Sequence, residues 1–319
     1  MTKKSFAMIF PGQGSQSVGM LRELSEHFTE VKIIFERASL VLKYDLWDLT
    51  QNGPAEKLDQ TIFTQPALLA ADVAVWICFQ KLTQLKPCMI AGHSLGEYAA
   101  LVAAEVLQFE DAIQLVSNRG KFMQEAISED VGAMAAIVGL DDTAVLNICN
   151  NASTEGIVSP ANYNSIGQVV ISGEKKAVLK AIQLAEENGA RMAKCIPVSV
   201  PSHCVLMQSA ADRLEIELKK INMAAPTIPV VQNFDVQFHT DPKNILTSLT
   251  QQLTQPVRWV ETIQRMISKH IHLFLECGPG RVLAGLNKRI SKDIETENMQ
   301  TTEALEKVCA LLRGVSCHH

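Results

Sequence analysis

The stretch "PCMIAGHSLGEYAA", residues 87–100, joins a short apolar run to a segment of helical composition. The run "CMIAG" predicts a buried strand, and the residues that follow Gly96 predict a helix. Ser94 therefore lies at a strand-to-helix turn, between two glycines that let strand and helix pack closely. Such a turn exposes the serine hydroxyl near the positive end of a helix. The pattern favours an α/β fold with Ser94 as candidate nucleophile, although Gly-x-Ser-x-Gly also occurs by chance.

Strand and helix patterns alternate on both sides of this turn. "SFAMIF" at residues 5–10 predicts a first strand, and "TQPALLAADVAVWICFQKL" at 64–82 predicts a long helix. After Pro201 the strands "IPVVQNF" and "IHLFLECG" continue the alternation. This order predicts a large α/β-hydrolase-like domain with a mostly parallel sheet and helices on both faces.

The middle of the chain has a different order of elements. Between residues 129 and 198 the patterns predict β-α-β-β-α-β, ending in a strand at "RMAKCIPVSV", 191–200. That order is typical of a small ferredoxin-like α/β domain. We therefore expect a discontinuous large domain, 1–128 and 199–319, with a small domain inserted at 129–198. The cleft between them is the expected binding site.

Composition excludes several classes of function. The chain has 319 residues, 47% of them hydrophobic, and a formal charge of −5, which argues against a general nucleic-acid binder. The apolar segment "PALLAADVAVWICF", 66–79, contains Asp72 and is shorter than the ~20 residues of a membrane span, so it predicts a buried helix. The eight cysteines form no Cys-x-x-Cys pair, which indicates free thiols in the cytoplasm and no metal site. His318 and His319 receive no function.

The glycine-rich loop "PGQGSQSVGM", 11–20, follows the first strand. As a dinucleotide-binding fingerprint it fails at Ser17, where a glycine or alanine is needed, and as a phosphate-binding P-loop it fails at Met20 and Leu21. A nucleotide-binding protein is therefore disfavoured. The loop can still offer main-chain N–H groups to an oxyanion.

A nucleophilic serine needs a base, and His203 is the best candidate among the eight histidines. It lies in "VSVPSHCVLM", where the chain re-enters the large domain, so its ring can reach Ser94 across the cleft. The side chain of His93 is expected to point away on the turn. His270 and His272 form a His-x-His pair on a predicted strand, but no third metal ligand stands near them. An ordinary histidine remains the alternative for His203.

Arg119 lies in "LVSNRGKFMQE", residues 115–125. On a helix such an arginine is most often solvated. If it faces the cleft, its planar guanidinium is suited to a substrate carboxylate held by two parallel hydrogen bonds.

Together these segments resemble the malonyl-CoA:acyl-carrier-protein transacylase family of fatty acid synthesis. The resemblance covers nearly the whole chain and is carried by motifs in the family's order, namely "FPGQGSQ", "GHSLGEYAAL", "NRGKFMQEA", "MAAIVGL", "VSPANYNSIGQVVISG", "VPSHC", "QLTQPVRW" and "ECGPGRVLAGLNKRI".

The resemblance implies a role for each matching residue. Ser94 would carry the acyl group, His203 would be its base, and the main-chain carbonyl of Gln252, beside the similar Gln251, would orient the histidine. The main-chain N–H groups of Gln13 and Leu95 would form the oxyanion hole.

The resemblance also implies the substrates. Arg119 would hold the malonyl carboxylate, with Asn162 as a weaker candidate for lining the cleft. The substrates would be malonyl-CoA and phosphopantetheinylated acyl carrier protein, with no cofactor, metal, nucleic acid or membrane, and the enzyme would be a cytoplasmic monomer. Because carrier proteins of this pathway are acidic, the basic run that contains Arg281, Lys288 and Arg289 is expected to dock them, with a solvated helix as the alternative.

Two other functions share parts of this pattern. A serine esterase or thioesterase has the same turn, but it should carry an acid between Ser94 and His203 that completes a triad. A catalytically dead module that only binds carrier protein is the non-enzymatic alternative, and it is disfavoured because Ser94, His203 and Arg119 are all present.

Overall fold

Short strands and longer helices alternate along the chain in the computed structural model, which describes residues 5–128, 130–198 and 200–313. The strands are β1 (Phe6–Phe10), β2 (Met89–Gly92), β3 (Gly132–Val138), β4 (Val158–Ser165), β5 (Gln168–Glu174), β6 (Met192–Cys195), β7 (Val230–Val231), β8 (Leu273–Glu276) and β9 (Glu295–Asn298). The helices are α1 (Arg22–His27), α2 (Thr29–Leu42), α3 (Leu46–Asn52), α4 (Ala55–Leu58), α5 (Thr61–Thr83), α6 (Gly96–Ala103), α7 (Phe109–Glu125), α8 (Asp142–Ala152), α9 (Lys175–Glu187), α10 (Gln208–Leu218), α11 (Pro242–Gln252), α12 (Trp259–Ile267), α13 (Val282–Ile290) and α14 (Thr302–Arg313).

The larger sheet has five strands in the order β7-β2-β1-β8-β9, and each neighbouring pair is parallel. Successive side chains of β1 point to opposite faces and enter different cores. Met8 packs with the cluster that contains α5, whereas Ile9 packs with the cluster that contains Trp259. The sheet is therefore buried on both faces, as the predicted parallel α/β arrangement requires.

The carboxyl ends of parallel strands lie at one edge of a sheet. At this edge of the larger sheet lie the loops that carry the candidate functional residues. The glycine-rich loop follows β1, Ser94 follows β2, and Asn233 follows β7. The chemistry-bearing loops therefore meet at the carboxyl ends of three adjacent strands.

The smaller sheet has four antiparallel strands in the order β4-β5-β3-β6. Its strands and the helices α8 and α9 follow the predicted order β-α-β-β-α-β. The sheet is joined to the larger core through Val257, whose main chain bonds to that of Ala161 and Tyr163 on β4. Wall residues of the smaller sheet are thereby held beside the edge of the larger one.

Two predicted strands are shorter in the structure. The strand predicted at 228–234 is only β7, because the chain turns back after it and the N–H of Gln232 donates to the carbonyl of Gln237. The strand predicted at 191–200 ends at Cys195, since the N–H of Val198 donates to the carbonyl of Ile196 in a tight turn. The predicted domain limits at 129 and 199, and the terminal His318 and His319, lie outside the described residues.

The length argument against a membrane span at 66–79 is wrong, because α5 has 23 residues and is long and apolar enough to cross a membrane. Of its most apolar window, however, 78% is buried inside the protein. The helix packs against α2 and α7 and supplies much of the larger core. This burial agrees with the prediction of a core helix.

Candidate active site

Ser94 lies in a sharp turn between β2 and α6 and has a left-handed backbone with φ of 52°. Both flanking glycines are required. A Cβ on Gly92 would lie 1.9 Å from the carbonyl carbon of Gly96, and a Cβ on Gly96 would lie 2.2 Å from the carbonyl oxygen of Phe10. The Ser94 N–H donates to Oδ1 of Asn233 at 2.7 Å. The turn is therefore held in a strained conformation that presents the hydroxyl.

His203 meets Ser94 at hydrogen-bonding distance. Its Nε2 lies 2.8 Å from Oγ of Ser94, and its own backbone is also left-handed, with φ of 61°. His203 is buried and belongs to the segment that leads from the smaller sheet into α10. The structure thus brings together the nucleophile and base that the sequence singles out 109 positions apart.

The other nitrogen of His203, Nδ1, lies 2.7 Å from the main-chain oxygen of Gln252. A carbonyl can only accept, so Nδ1 carries the proton and Nε2 is free to accept the proton of Ser94. Burial, with the positive charge of Arg119 as the second cause, lowers the pKa of His203 to about 3. The imidazole is therefore a neutral base at physiological pH. Within the described residues no carboxylate bonds to it.

The two expected oxyanion donors lie beside the hydroxyl. Gln13 in the loop after β1 and Leu95 after the nucleophile both line the cavity that contains Ser94. Neither main-chain N–H finds an acceptor among the residues that the structure describes. Both donors are available to a developing negative charge.

Arg119 reaches this cavity from α7 and is 1% exposed. Its Nη2 donates to Oε1 of Gln252 at 3.0 Å and approaches Oγ of Ser94 at 3.4 Å. Its Nε is buried without an acceptor, and no carboxylate of the described chain forms an ion pair with it. Burial lowers the pKa of Arg119. A buried cation that has no carboxylate partner in the described chain is suited to bind an anionic group of a ligand.

The cavity has a volume of about 100 Å³. Its walls come from both sheets. Gln13 and Leu95 line it from the larger sheet, whereas Asn162 on β4, Met134 on β3, and Ile196 and Val198 after β6 line it from the smaller sheet. Such a space has room for a short acyl chain, and a guanidinium at its side is suited to a group with a terminal negative charge.

Sequence reasoning missed two residues that support the turn. Glu97, in the first turn of α6, is completely buried and accepts from Nε2 of Gln252 at 2.6 Å. Asn233 accepts from Ser94 and donates from Nδ2 to the carbonyl of Gly92 at 2.6 Å. Glu97 could have been found from the sequence, because it is an acid three positions after the serine. No local pattern distinguishes Asn233.

His93 lines the same cavity as the dyad, but it takes no part in the bond between Ser94 and His203. His93 bonds through Nε2 to Oδ1 of Asn164 at 2.7 Å and not to His203. The prediction that His270 and His272 share a strand is wrong, because both precede β8, His270 in a left-handed turn. No group of three or more candidate metal ligands occurs among the described residues.

The predicted docking residues surround the exposed face of α13. Arg281 and Lys288 line a cavity of about 500 Å³ together with Lys292. Arg289 points elsewhere, since its Nη1 donates to Oε1 of Gln168 at 2.6 Å. Three cations therefore share one concave surface, and the fourth links α13 to the smaller sheet.

Known proteins resemble this chain over nearly its whole length. Residues 7–308 match the family model of the acyl transferase domain. The malonyl CoA-acyl carrier protein transacylase of Salmonella typhimurium is 50% identical over 94% of this chain and 97% of its own, and that of Bacillus subtilis is 41% identical over 96% and 97%. The transacylase structure from Coxiella burnetii has a TM-score of 0.96 and 51% identity over 97% of this chain and 98% of that one. A malonyl-transacylase in complex with a type II polyketide acyl-carrier protein has a TM-score of 0.95 and 48% identity over 97% and 100%.

Proposed function

The chain belongs to the acyl transferase family, and from that premise we propose that it transfers malonyl groups from malonyl-CoA to acyl carrier protein for fatty acid synthesis. The observation that carries this proposal is the buried guanidinium of Arg119, which lies 3.4 Å from Oγ of Ser94 and forms no ion pair with a carboxylate of the described residues. A nucleophile beside an unpaired cation suits an acyl group with a free carboxylate, and malonyl is such a group.

The first half of the reaction loads Ser94. Nε2 of His203 takes the hydroxyl proton while Oγ attacks the thioester carbon of malonyl-CoA. The carbonyl oxygen becomes an oxyanion that accepts from the main-chain N–H groups of Gln13 and Leu95, and one such donor commonly contributes about 3 kcal/mol. The carbon–sulfur bond then breaks, and the sulfur of CoA takes the proton from His203. Malonyl-Ser94 and free CoA are the products.

The second half reverses these roles with a new thiol. His203 takes the proton of the phosphopantetheine thiol, and the sulfur attacks the ester carbon of malonyl-Ser94. The bond to Oγ breaks, and Oγ recovers the proton from His203. Thiols have a pKa of ~8.5, so CoA is an easy leaving group and the phosphopantetheine thiol is easily deprotonated. A neutral histidine that a carbonyl orients is therefore a sufficient base for both steps. The kinetics are ping-pong.

The main-chain carbonyl of Gln252 takes the place that an acid holds in a hydrolase triad.

Transfer also requires that the second thiol attack malonyl-Ser94 faster than water does. We propose that Arg119 fixes the malonyl carboxylate and so keeps the acyl carbonyl in the oxyanion hole, aligned for the incoming thiol. This arrangement favours transfer over the esterase or thioesterase alternative, and the intact dyad argues against a dead binding module.

Substitution of Arg119 tests this proposal. Arg119→Ala should lower kcat/KM for malonyl-CoA by about 100-fold while transfer from acetyl-CoA falls little, because acetyl has no carboxylate to lose a partner. Arg119→Lys keeps the positive charge without the planar guanidinium. Its kcat/KM for malonyl-CoA should therefore lie between those of the wild type and Arg119→Ala. An Arg119→Ala enzyme whose malonyl transfer is unchanged, or whose acetyl transfer does not rise relative to it, would reject the role.

The finer architecture belongs to the same proposal. We infer an α/β-hydrolase-like large domain, 1–128 and 199–319, and a ferredoxin-like domain at 129–198, supported by the two separate sheets and their strand orders. We also infer a cytoplasmic, monomeric enzyme that uses malonyl-CoA and the carrier protein as substrates and no cofactor. Free cysteines throughout the described chain agree with a reducing compartment.

A further inference from the structure

Glu97 is a buried acid that the reaction steps do not use. It lies in the first turn of α6, three residues after Ser94, and is 0% exposed. Its Oε2 accepts from Nε2 of Gln252 at 2.6 Å and from the main-chain N–H of Asn233 at 3.2 Å. Its Oε1 is buried without a partner among the described residues. One oxygen of the Glu97 carboxyl group therefore accepts two hydrogen bonds close to the turn that carries Ser94.

The side-chain amide of Gln252 has only one orientation that satisfies its neighbours. The two hydrogens of Nε2 go to Glu97 and to the main-chain oxygen of Ser94, the latter at 3.0 Å. The amide oxygen then faces Nη2 of Arg119 at 3.0 Å. A flipped amide would turn its oxygen to the main-chain oxygen of Ser94, which can only accept, and its NH2 to a guanidinium donor.

Gln252 thus joins three parts of the site. Its main chain orients His203, its amide nitrogen bonds Glu97, and its amide oxygen bonds Arg119. No ion pair joins Glu97 directly to Arg119 in the described chain, because the amide lies between them.

We propose that Glu97 is a positioning residue for acyl selectivity: it fixes the Gln252 amide so that the amide oxygen holds Arg119 beside Ser94 without neutralising the guanidinium. The role rests on the proposed malonyl transfer and concerns how the carboxylate is recognised. Burial raises the pKa of Glu97 to about 8, against the hydrogen bonds from Gln252 and Asn233. A largely protonated Glu97 at pH 7 leaves the positive charge of Arg119 free for the substrate.

Two variants at position 97 separate positioning from simple packing. Glu97→Gln presents an amide oxygen to the same two donors and closely mimics the protonated acid. Glu97→Met has a similar volume but no acceptor, so the Gln252 amide can turn and Arg119 loses its anchor. The readout is kcat/KM for malonyl-CoA divided by that for acetyl-CoA, both with phosphopantetheinylated acyl carrier protein as acceptor.

We expect Glu97→Met to lower this ratio by about tenfold and Glu97→Gln to keep it within about threefold. A parallel loss of both activities with an unchanged ratio would overturn the proposal, as would an equal fall of the ratio in both variants. Wild-type enzyme that transfers no malonyl would instead reject the proposed function, so the two failures differ.

Gln252→Met provides a second route if Glu97→Met does not fold, as judged by thermal melting. It keeps the main-chain carbonyl that His203 needs and removes only the amide. The ratio should fall here too. Where Glu97→Met folds, the double variant Glu97→Met/Gln252→Met should fall no further than either single variant, because both changes break one connection. An unchanged ratio in Gln252→Met, or fully additive losses in the double variant, would contradict the role of Glu97.

Discussion

The two sheets meet at one cavity but contribute different groups to it. The edge of the five-stranded parallel sheet carries Ser94 in a left-handed turn, and His203 faces it with φ of 61°. The four-stranded antiparallel sheet contributes wall residues such as Met134 and Asn162. Among the described residues that line the cavity, left-handed backbone outside glycine therefore occurs only at the nucleophile and the base.

The difference follows from what each side must do. A reacting hydroxyl has to be held within a few tenths of an ångström, which requires glycines, a rigid helix start and hydrogen bonds such as that from Ser94 to Asn233. A wall only limits space and can tolerate small changes. Substitutions on the parallel-sheet side should therefore cost far more activity than substitutions on the antiparallel side.

Ser94→Ala should give the largest effect, a loss of about 10⁴-fold in malonyl transfer to carrier protein. His203→Ala should lose a similar factor, and the double variant should be no worse, because nucleophile and base act as one unit. Steady-state transfer assays on the three variants measure this. Losses that multiply in the double variant would show that the two residues act independently.

The pH dependence should distinguish a buried base from an ordinary histidine. With the pKa of His203 lowered to about 3, its base form persists below pH 6.5, so kcat/KM for malonyl-CoA at pH 5 should stay near its plateau. A base of pKa 6.5 would lose about 30-fold there. Short assays with circular dichroism at each pH separate this from unfolding, which acid favours because the unfolded chain protonates its histidine first.

Arg119→Met is the matched variant for that profile. Removing the positive charge removes one cause of the lowered pKa, so the acid limb should move upward toward 6.5. The acetyl-CoA reaction is the suitable readout, since it does not need the guanidinium. A wild-type limb already at 6.5, or a limb that Arg119→Met moves downward, would contradict this electrostatic account.

Asn162→Ala tests the tolerant side. It lines the cavity from β4 and should lower kcat/KM for malonyl-CoA by only about threefold to tenfold, the cost of one wall contact. Ser159→Ala on the same strand, outside this cavity, is the control and should change little. A loss as large as that of Ser94→Ala would erase the contrast between the two sheets.

The smallest effect on activity is expected from substitutions at the basic surface around α13, which lies outside the cavity that the two sheets share. We propose that Arg281, Lys288 and Arg289 help dock the acidic carrier protein. Arg281 and Lys288 line the concave surface, whereas Arg289 bonds to Gln168. Charge reversal at Arg281 and Lys288 should therefore raise the KM for carrier protein by about threefold to fivefold and leave that for malonyl-CoA unchanged. Lys176→Glu on α9 is the exposed control. Equal changes in both KM values would reject docking at this surface.

The fold was largely predictable because its signals are local. Alternating apolar runs and helical periods identified β1, β2 and the β-α-β-β-α-β segment, and the paired glycines identified the turn at Ser94. The failures lie where tertiary contacts decide. β7 stops after Val231 because the next residues turn back, and α5 extends to 23 residues because packing buries it.

Site residues that lie in recognisable motifs could be predicted from the sequence. Residues that reach the site only through tertiary contacts could not. The pairing of Ser94 with His203 came from the turn and from the position of the histidine at a chain re-entry. Gln252 followed only from family resemblance, and the structure distinguishes it from Gln251 through its bond to His203. Asn233 lies 139 positions from its partner Ser94, so no local pattern could connect them.

The most direct test of the covalent route is intact-protein mass spectrometry after brief exposure to malonyl-CoA, with acetyl-CoA in parallel. The wild-type protein should gain about 86 Da, the mass of one malonyl group, and Ser94→Ala should gain nothing. Acetyl-CoA should leave little adduct, because Arg119 finds no carboxylate to hold. Rapid release of CoA without an adduct on wild type, or an equal adduct on Ser94→Ala, would contradict transfer through malonyl-Ser94.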